Sequence, residues 1–209
     1  MNDFGANYNT YELKLEVDDA LEKTFLTHCS VATFVYDNML NINKERRSVM
    51  KPMLKDKELV NESLAFAVKY NVPDTVSKEY VKRAAEDLDH DHSVRGLNYK
   101  DQRFVTMPES RSSRNKKYFS VPQPFVIDNE SKTITLLGIG DVKFIGDFTS
   151  NSRIFHVNIR MKMSGWYISI TTHAEDYVHP RKLERKIDKK DKKKFANKAK
   201  RWYKKNKKI

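Results

Sequence analysis

Cysteine is almost absent from this 209-residue chain. Cys29 stands alone, so no internal disulfide can form and no Cys-x-x-Cys pair offers zinc a ligand set. The expectation is a reducing, intracellular compartment. Glycine and proline number six each, which excludes collagen-like and linker-like composition. Apolar runs are short as well. No stretch approaches the roughly 18 apolar residues of a membrane span, and polar Met1–Tyr11 has no apolar signal core. A soluble cytoplasmic protein without a membrane partner is expected.

What is abundant is charge. Lys and Arg number 40 against 28 Asp and Glu, a formal net charge of +12. Its distribution decides its meaning. Arg181–Ile209 holds 16 Lys or Arg against three acids, so the remainder of the chain is close to neutral. Clustered cations gain affinity for polyphosphates by releasing counterions. The basic tail therefore points to nucleic acid, and Trp202 and Tyr203 within it offer rings on which exposed bases stack.

The chain upstream has regular patterning. Tyr11–Val17 alternates apolar with charged residues, the period of a half-buried strand. Asp18 is placed to cap a helix. Apolar Leu21, Phe25, Cys29, Ala32, Tyr36, Met39 and Leu40 then follow at helical spacing, predicting one helix over 19–44. A second helix is predicted over 59–70, a turn at Asn71-Val72-Pro73, and a third helix over 75–93. Beyond Gly96 the pattern turns to short strands at 102–106, 118–121, 125–127, 133–136, 142–145, 154–163 and 166–172, with turns between them. Met163-Ser164-Gly165-Trp166 reads as a tight hairpin. Strands in such series predict a barrel or sandwich.

These segments carry a family resemblance. Tyr11–Val17 looks like the opening strand of TnpB (OrfB) proteins, the transposon-associated RNA-guided nucleases related to type V CRISPR effectors. Cys29-Ser-Val-Ala-Thr-Phe-Val-Tyr-Asp-Asn-Met-Leu40 is similar to the family's first-helix signature, with Thr33 where Arg is usual. The segment 76–89 resembles its third helix. Ile134-Thr-Leu-Leu-Gly-Ile-Gly-Asp-Val-Lys143 and Gly165-Trp-Tyr-Ile-Ser-Ile170 resemble two of its later strands. The resemblance spans roughly 11–172. It implies an α+β fold: an oligonucleotide-binding-type barrel, the wedge domain, split over 1–17 and 99–178. A three-helix recognition lobe would be inserted over 18–98. The tail's own pattern predicts that 179–209 is a basic tail, helical from about Lys189. The resemblance also implies a prokaryotic, viral or mobile-element origin.

Family members continue into a nuclease domain whose carboxylates gather divalent ions. Here the chain runs through Thr171-Thr-His-Ala-Glu-Asp-Tyr-Val-His-Pro180 and then turns basic. Asp176 lacks the flanking glycines of the family's catalytic strand. No catalytic residue, cofactor or metal is therefore expected. Asp87, Asp89, His90, Asp91 and His92 invite a metal reading, but histidines two apart on a helix diverge by roughly 200°.

The resemblance assigns Lys78, Lys82 and Ser120 to DNA contact. Arg111, Arg114, Lys116, Lys117, Tyr118 and Phe119 make a basic-aromatic run suited to pairing phosphates and stacking a base. Lys143, Arg160 and Lys162 would face RNA from barrel strands. In the tail, Lys193, Lys194, Lys200, Arg201, Trp202, Lys204 and Lys205 complete the expected phosphate contacts. The leading expectation is a non-cutting, TnpB-like binder of structured guide-type RNA, and of double-stranded target DNA, acting as repressor or accessory subunit. Two alternatives stay open. One is a decoy that mimics the front half of such a nuclease and blocks its nucleic-acid or protein partner. The other is a conventional sequence-specific DNA-binding regulator.

Overall fold

In the computed structural model the described residues are 8–94, 107–114, 117–150 and 152–173. The first strand, β1, is Tyr8–Leu15, beginning and ending earlier than the alternation predicts. Asp18 then acts as the expected cap: its Oδ1 accepts the Leu21 N–H at 2.8 Å, satisfying an orphan donor of the helix start. Helix α1 is Asp19–Ser48. Its predicted stripe is its buried face, with Phe25, Cys29, Ala32, Tyr36, Met39 and Leu40 all withdrawn from solvent. The helix outruns its predicted end because the chain folds back on its last turns. Asn43 clamps Leu54 through both backbone groups, at 3.1 and 2.7 Å, and Arg46 Nε donates to the Pro52 carbonyl at 2.6 Å.

Helix α2 is Asp56–Lys69, and Asn71 follows in the left-handed region (φ 50°), which asparagine tolerates in a turn. Helix α3 is Lys78–Val94. Ser77 Oγ accepts the Glu79 N–H at 3.3 Å, so the helix starts after Ser77 rather than at Thr75. Tyr80, Val81, Ala84, Ala85 and Leu88 form its buried stripe. Among the described residues no helix is long and apolar enough to cross a membrane.

The remaining strands are β2 (Tyr118–Ser120), β3 (Val126–Asp128), β4 (Thr133–Leu136), β5 (Gly140–Ile145), β6 (Ile154–Lys162) and β7 (Gly165–His173). Six of the seven predicted later segments are thus strands, and the one at 102–106 lies outside the described residues. The sheet order is β2-β6-β7-β1-β5-β4-β3, with β2–β6, β6–β7, β1–β5, β4–β5 and β3–β4 all antiparallel. The β6–β7 hairpin turns at the predicted place, with Lys162 opposite Gly165 and Gly165 at φ 118°, where a side chain is strained. A closed barrel is not formed among the described residues. The sheet is open, with β2 and β3 as its edges.

In chain order the helices are an insertion between β1 and β2, and β1 returns to the middle of the sheet. In space they share the sheet's core. Phe25 of α1 packs on Phe119 (centroids 5.7 Å apart) and Trp166 (5.1 Å), while His28 and Tyr80 pack on the same Phe119 at 5.3 and 5.7 Å. Tyr8–Thr172 is accordingly one compact unit.

Candidate nucleic-acid interface

Strand residues alternate between faces, so the register sorts the charged side chains. In β1, Leu13 and Leu15 are buried, which puts Glu12 and Lys14 on the opposite face. In β6, Val157 and Ile159 are buried, and Arg160 and Lys162 lie opposite. Arg160 pairs across with Tyr167 of β7, and Lys14 with Ile145 of β5, two residues from Lys143. Arg160, Lys162, Tyr167, Glu12, Lys14 and Lys143 therefore share one face of four consecutive strands. Adjacent strands lie about 4.8 Å apart, so the patch is about 14 Å wide.

This face is ordered by one carboxylate. Glu12 accepts from Arg160 Nε at 2.9 Å, from Arg160 Nη2 and from Lys162 Nζ at 2.5 Å. The Lys162 hydrogen bond, with Arg160 beside it, holds the Glu12 carboxyl below its usual range despite partial burial. Lys162 Nζ also sits 5.0 Å over the Tyr167 ring, and the Tyr167 hydroxyl meets Ser164 Oγ at 2.8 Å. The structure thus brings the expected Arg160, Lys162 and Lys143 together and adds Tyr167 and Lys14. Sequence reasoning passed over Tyr167 because it adjoins a tryptophan destined for the core. Its signal is the period of two, which turns the neighbour of a buried residue outward.

The run from 111 to 120 does not form one surface cluster. Arg111 is only 3% exposed. Its guanidinium lies between the Tyr36 and Tyr118 rings, 4.3 and 4.5 Å from their centroids, and Nη2 donates to Asp87 Oδ2 at 2.8 Å. Phe119 is fully buried and Ser120 nearly so. Arg111 and Ser120, expected to meet phosphate and DNA, are instead buried, and with half-buried Tyr118 they brace α3 and α1 against β2. Arg114 is half-buried and pairs with Glu109 at 3.6 Å, and Lys117 is exposed. Lys116 lies outside the described residues, as do Lys193, Lys194, Lys200, Arg201, Trp202, Lys204 and Lys205. Lys78 and Lys82 stand one turn apart on α3 as expected. Lys78 is exposed, while Lys82 Nζ is 2.5 Å from Glu79 and is partly neutralised.

Ser120, His156 and Asp87 lie close enough to invite comparison with a catalytic triad, and the hydrogen bonds decide against one. The Ser120 hydroxyl is 2.5 Å from Asp87 Oδ2 and 3.0 Å from Asn158 Oδ1, so its proton is committed to an acceptor. His156 Nε2 donates to Asn158 Oδ1 at 2.7 Å, and Nδ1 accepts from Arg83 Nη2. The imidazole nitrogen nearer Ser120 carries a proton and cannot take another. Burial also lowers the His156 pKa and keeps the ring neutral. A bulge between Ile154 and His156 turns this histidine toward α3. Beside it, Lys82, Arg83, Gln123 and Phe155 help line a cavity of about 280 Å³.

In α3, Asp87 is spent on Arg111, and Asp91 accepts the Tyr36 hydroxyl at 2.6 Å. Burial, with Asp91 second, pushes the Tyr36 phenol above its ordinary pKa. Cys29 is buried too, its thiol pushed up to about 12, which makes it a poor nucleophile. In comparisons with known proteins, no family model and no curated protein matches the sequence.

Proposed function

We propose that this chain is a nucleic-acid-binding protein that holds structured RNA against the open face of its sheet, without cutting it. The observation that carries the reading is that Arg160, Lys162, Lys143 and Lys14 share that face with Tyr167. Cations there pair with phosphates, and a ring offers a stacking surface in their midst. The tail of 16 Lys or Arg supplies the larger, sequence-independent attraction.

The order of elements supports placing the chain near the front half of TnpB-like nucleases. One strand, three helices and six strands follow in turn, and the first strand returns to the centre of the sheet. In this reading the open sheet is the counterpart of the family's oligonucleotide-binding barrel. Binding guide-type RNA, and through it target DNA, without scission fits a repressor or accessory subunit.

The test is to purify the full chain, recover and sequence any RNA that accompanies it, and measure binding of that RNA against salt. A discrete RNA whose affinity falls steeply with rising salt is expected. Absence of salt-sensitive binding to any RNA or DNA overturns the proposal. Magnesium-dependent cleavage by the pure chain overturns its non-cutting half.

A further inference from the structure

The outward side of α1 presents a second surface that the sheet does not use. Lys23, Thr27, Ser30, Phe34 and Asn38 follow at three- and four-residue spacing and share one side of the helix. Three of them are satisfied locally. Thr27 Oγ1 donates to the Lys23 carbonyl at 2.9 Å, Ser30 Oγ to Leu26 at 2.9 Å and Asn38 Nδ2 to Phe34 at 2.8 Å. The stripe is therefore polar yet almost uncharged, and an exposed ring stands in its middle.

That ring is part of a platform. Phe34 is 39% exposed and Tyr70 50%, high values for large apolar side chains. Phe34 packs against Phe66 at 5.2 Å and Tyr70 at 6.0 Å, and Phe66 against Tyr70 at 4.3 Å. The three rings bridge α1 and the end of α2, so the platform is held by two helices. Two hollows flank Phe34. One, of about 560 Å³, runs between Lys23, Leu26, Tyr70 and Pro73, and the other, of about 530 Å³, reaches Cys29, Asp37 and Lys117.

The charges around the hollows select the occupant. Lys23 and Lys117 stand exposed, one in each hollow, while Lys69 lies on the far side of the platform, in a hollow it shares with Glu45 and Glu62. Among the described residues lining the two hollows, the one carboxylate is Asp37. Its oxygens are already taken by the Arg111 and Ser112 backbone N–H groups, at 2.6 and 3.0 Å. A neutral apolar partner would cover the rings and leave these cations unpaired. A polyanion with flat apolar faces uses both.

We infer that this face binds a single-stranded stretch of nucleic acid, with bases stacked on Phe34 and Tyr70 and phosphates against Lys23 and Lys117. The inference rests on the proposed nucleic-acid-binding function and adds to it a site for unpaired strand, separate from the sheet face.

The experiment uses the full chain and three fluorescein-labelled probes: a 20-nucleotide oligouridine, the matching oligothymidine and an RNA hairpin. Binding is read by anisotropy. The double variant Phe34→Leu, Tyr70→Leu keeps apolar bulk and removes the rings. It should weaken oligouridine binding by about 5-fold or more, since stacking on a side chain is worth that much per base. Tyr70→Phe should stay within about twofold of the parent, and hairpin binding should hold in both. Circular dichroism and melting show that each variant folds. An oligothymidine response equal to that of oligouridine assigns the site to base stacking, and a stronger oligouridine response assigns it to RNA. Both outcomes support the inference. Hairpin binding without oligouridine binding, or an unchanged double variant, overturns it while leaving the proposed function standing. A concentration-dependent dimer dissolved by the double variant also overturns it, since the platform is then an interface between copies. Failure of all three probes with the parent overturns the proposed function itself.

Discussion

Arg111 and Asp87 meet at 2.8 Å with both side chains withdrawn from water. The arginine belongs to the segment before β2 and the aspartate to α3, so one ion pair ties a connecting loop to a core helix. Tyr36 and Tyr118 close over the guanidinium faces. Arg111→Ala would remove the closest cation from Asp87 and leave it Arg83 Nε at 3.5 Å and the Ser120 hydroxyl, so the loss should stay below the roughly 3–5 kcal/mol of a fully uncompensated buried charge. Urea denaturation should show that loss. Arg111→Lys should recover only part of it, because an ammonium cannot stack flat between two rings. A variant that keeps its stability but loses RNA would restore Arg111 as a ligand.

The sheet face makes a different demand. Arg160→Glu with Lys143→Glu should cut RNA affinity and flatten its dependence on salt, by about one unit of slope for each phosphate left without its cation. Stability should change little, because exposed charges contribute about 0–1 kcal/mol each. Titration at several salt concentrations checks both. An unaltered slope would remove this face from the binding surface.

Glu12 now restrains that face. It neutralises Arg160 and Lys162 at once. Glu12→Gln should release both cations and raise RNA affinity about threefold or more in low salt, with a steeper salt dependence. Acid should act in the same direction on the parent. The folded pKa is depressed, so the carboxylate's tie to its partners is present above the ordinary range and is lost as pH falls through the lowered value. Weaker binding by Glu12→Gln would contradict this account.

Two histidines, buried His28 and part-buried His156, contribute to the acid response of the fold. Burial lowers the pKa of His28 in α1 and of His156 in β6, opposed more weakly by the Thr24 carbonyl hydrogen bond at His28 and chiefly by the Asp87 charge at His156. The unfolded chain therefore takes up these protons first. Their contribution is full above the ordinary histidine range and is lost as pH falls through it, with a slope of up to about 1.4 kcal/mol per pH unit for each group. Denaturation between pH 8 and pH 5, on the order of the range over which histidine titrates, should show the decline. His156→Gln should make it shallower.

Much of the fold was readable from pattern. Asp18 marked a helix start, the stripe from Phe25 to Leu40 marked its buried side, and Gly165 marked a hairpin. Each signal is local and survives packing. Sheet closure was not readable, since whether strands end in a barrel depends on which edges meet, and β2 and β3 remain apart as edges. Arg111 and Ser120 misled for a related reason. A cation beside tyrosines has the same composition whether it waits for phosphate or sits between rings, and only the burial of Asp87 separates the two. Phe34 went unremarked because it falls outside the buried stripe of α1. An aromatic residue off the stripe is itself the signal.

The position of β1 bears on how the molecule is made. β1 precedes the other described strands in the chain yet lies between β7 and β5, and Lys14 must find Ile145 far downstream. Pairings of such long range slow folding. The three helices that follow β1 are formed from near neighbours and can settle first, while β1 stays without its partners until the later strands emerge. During that interval an unpaired β1 is open to mispairing.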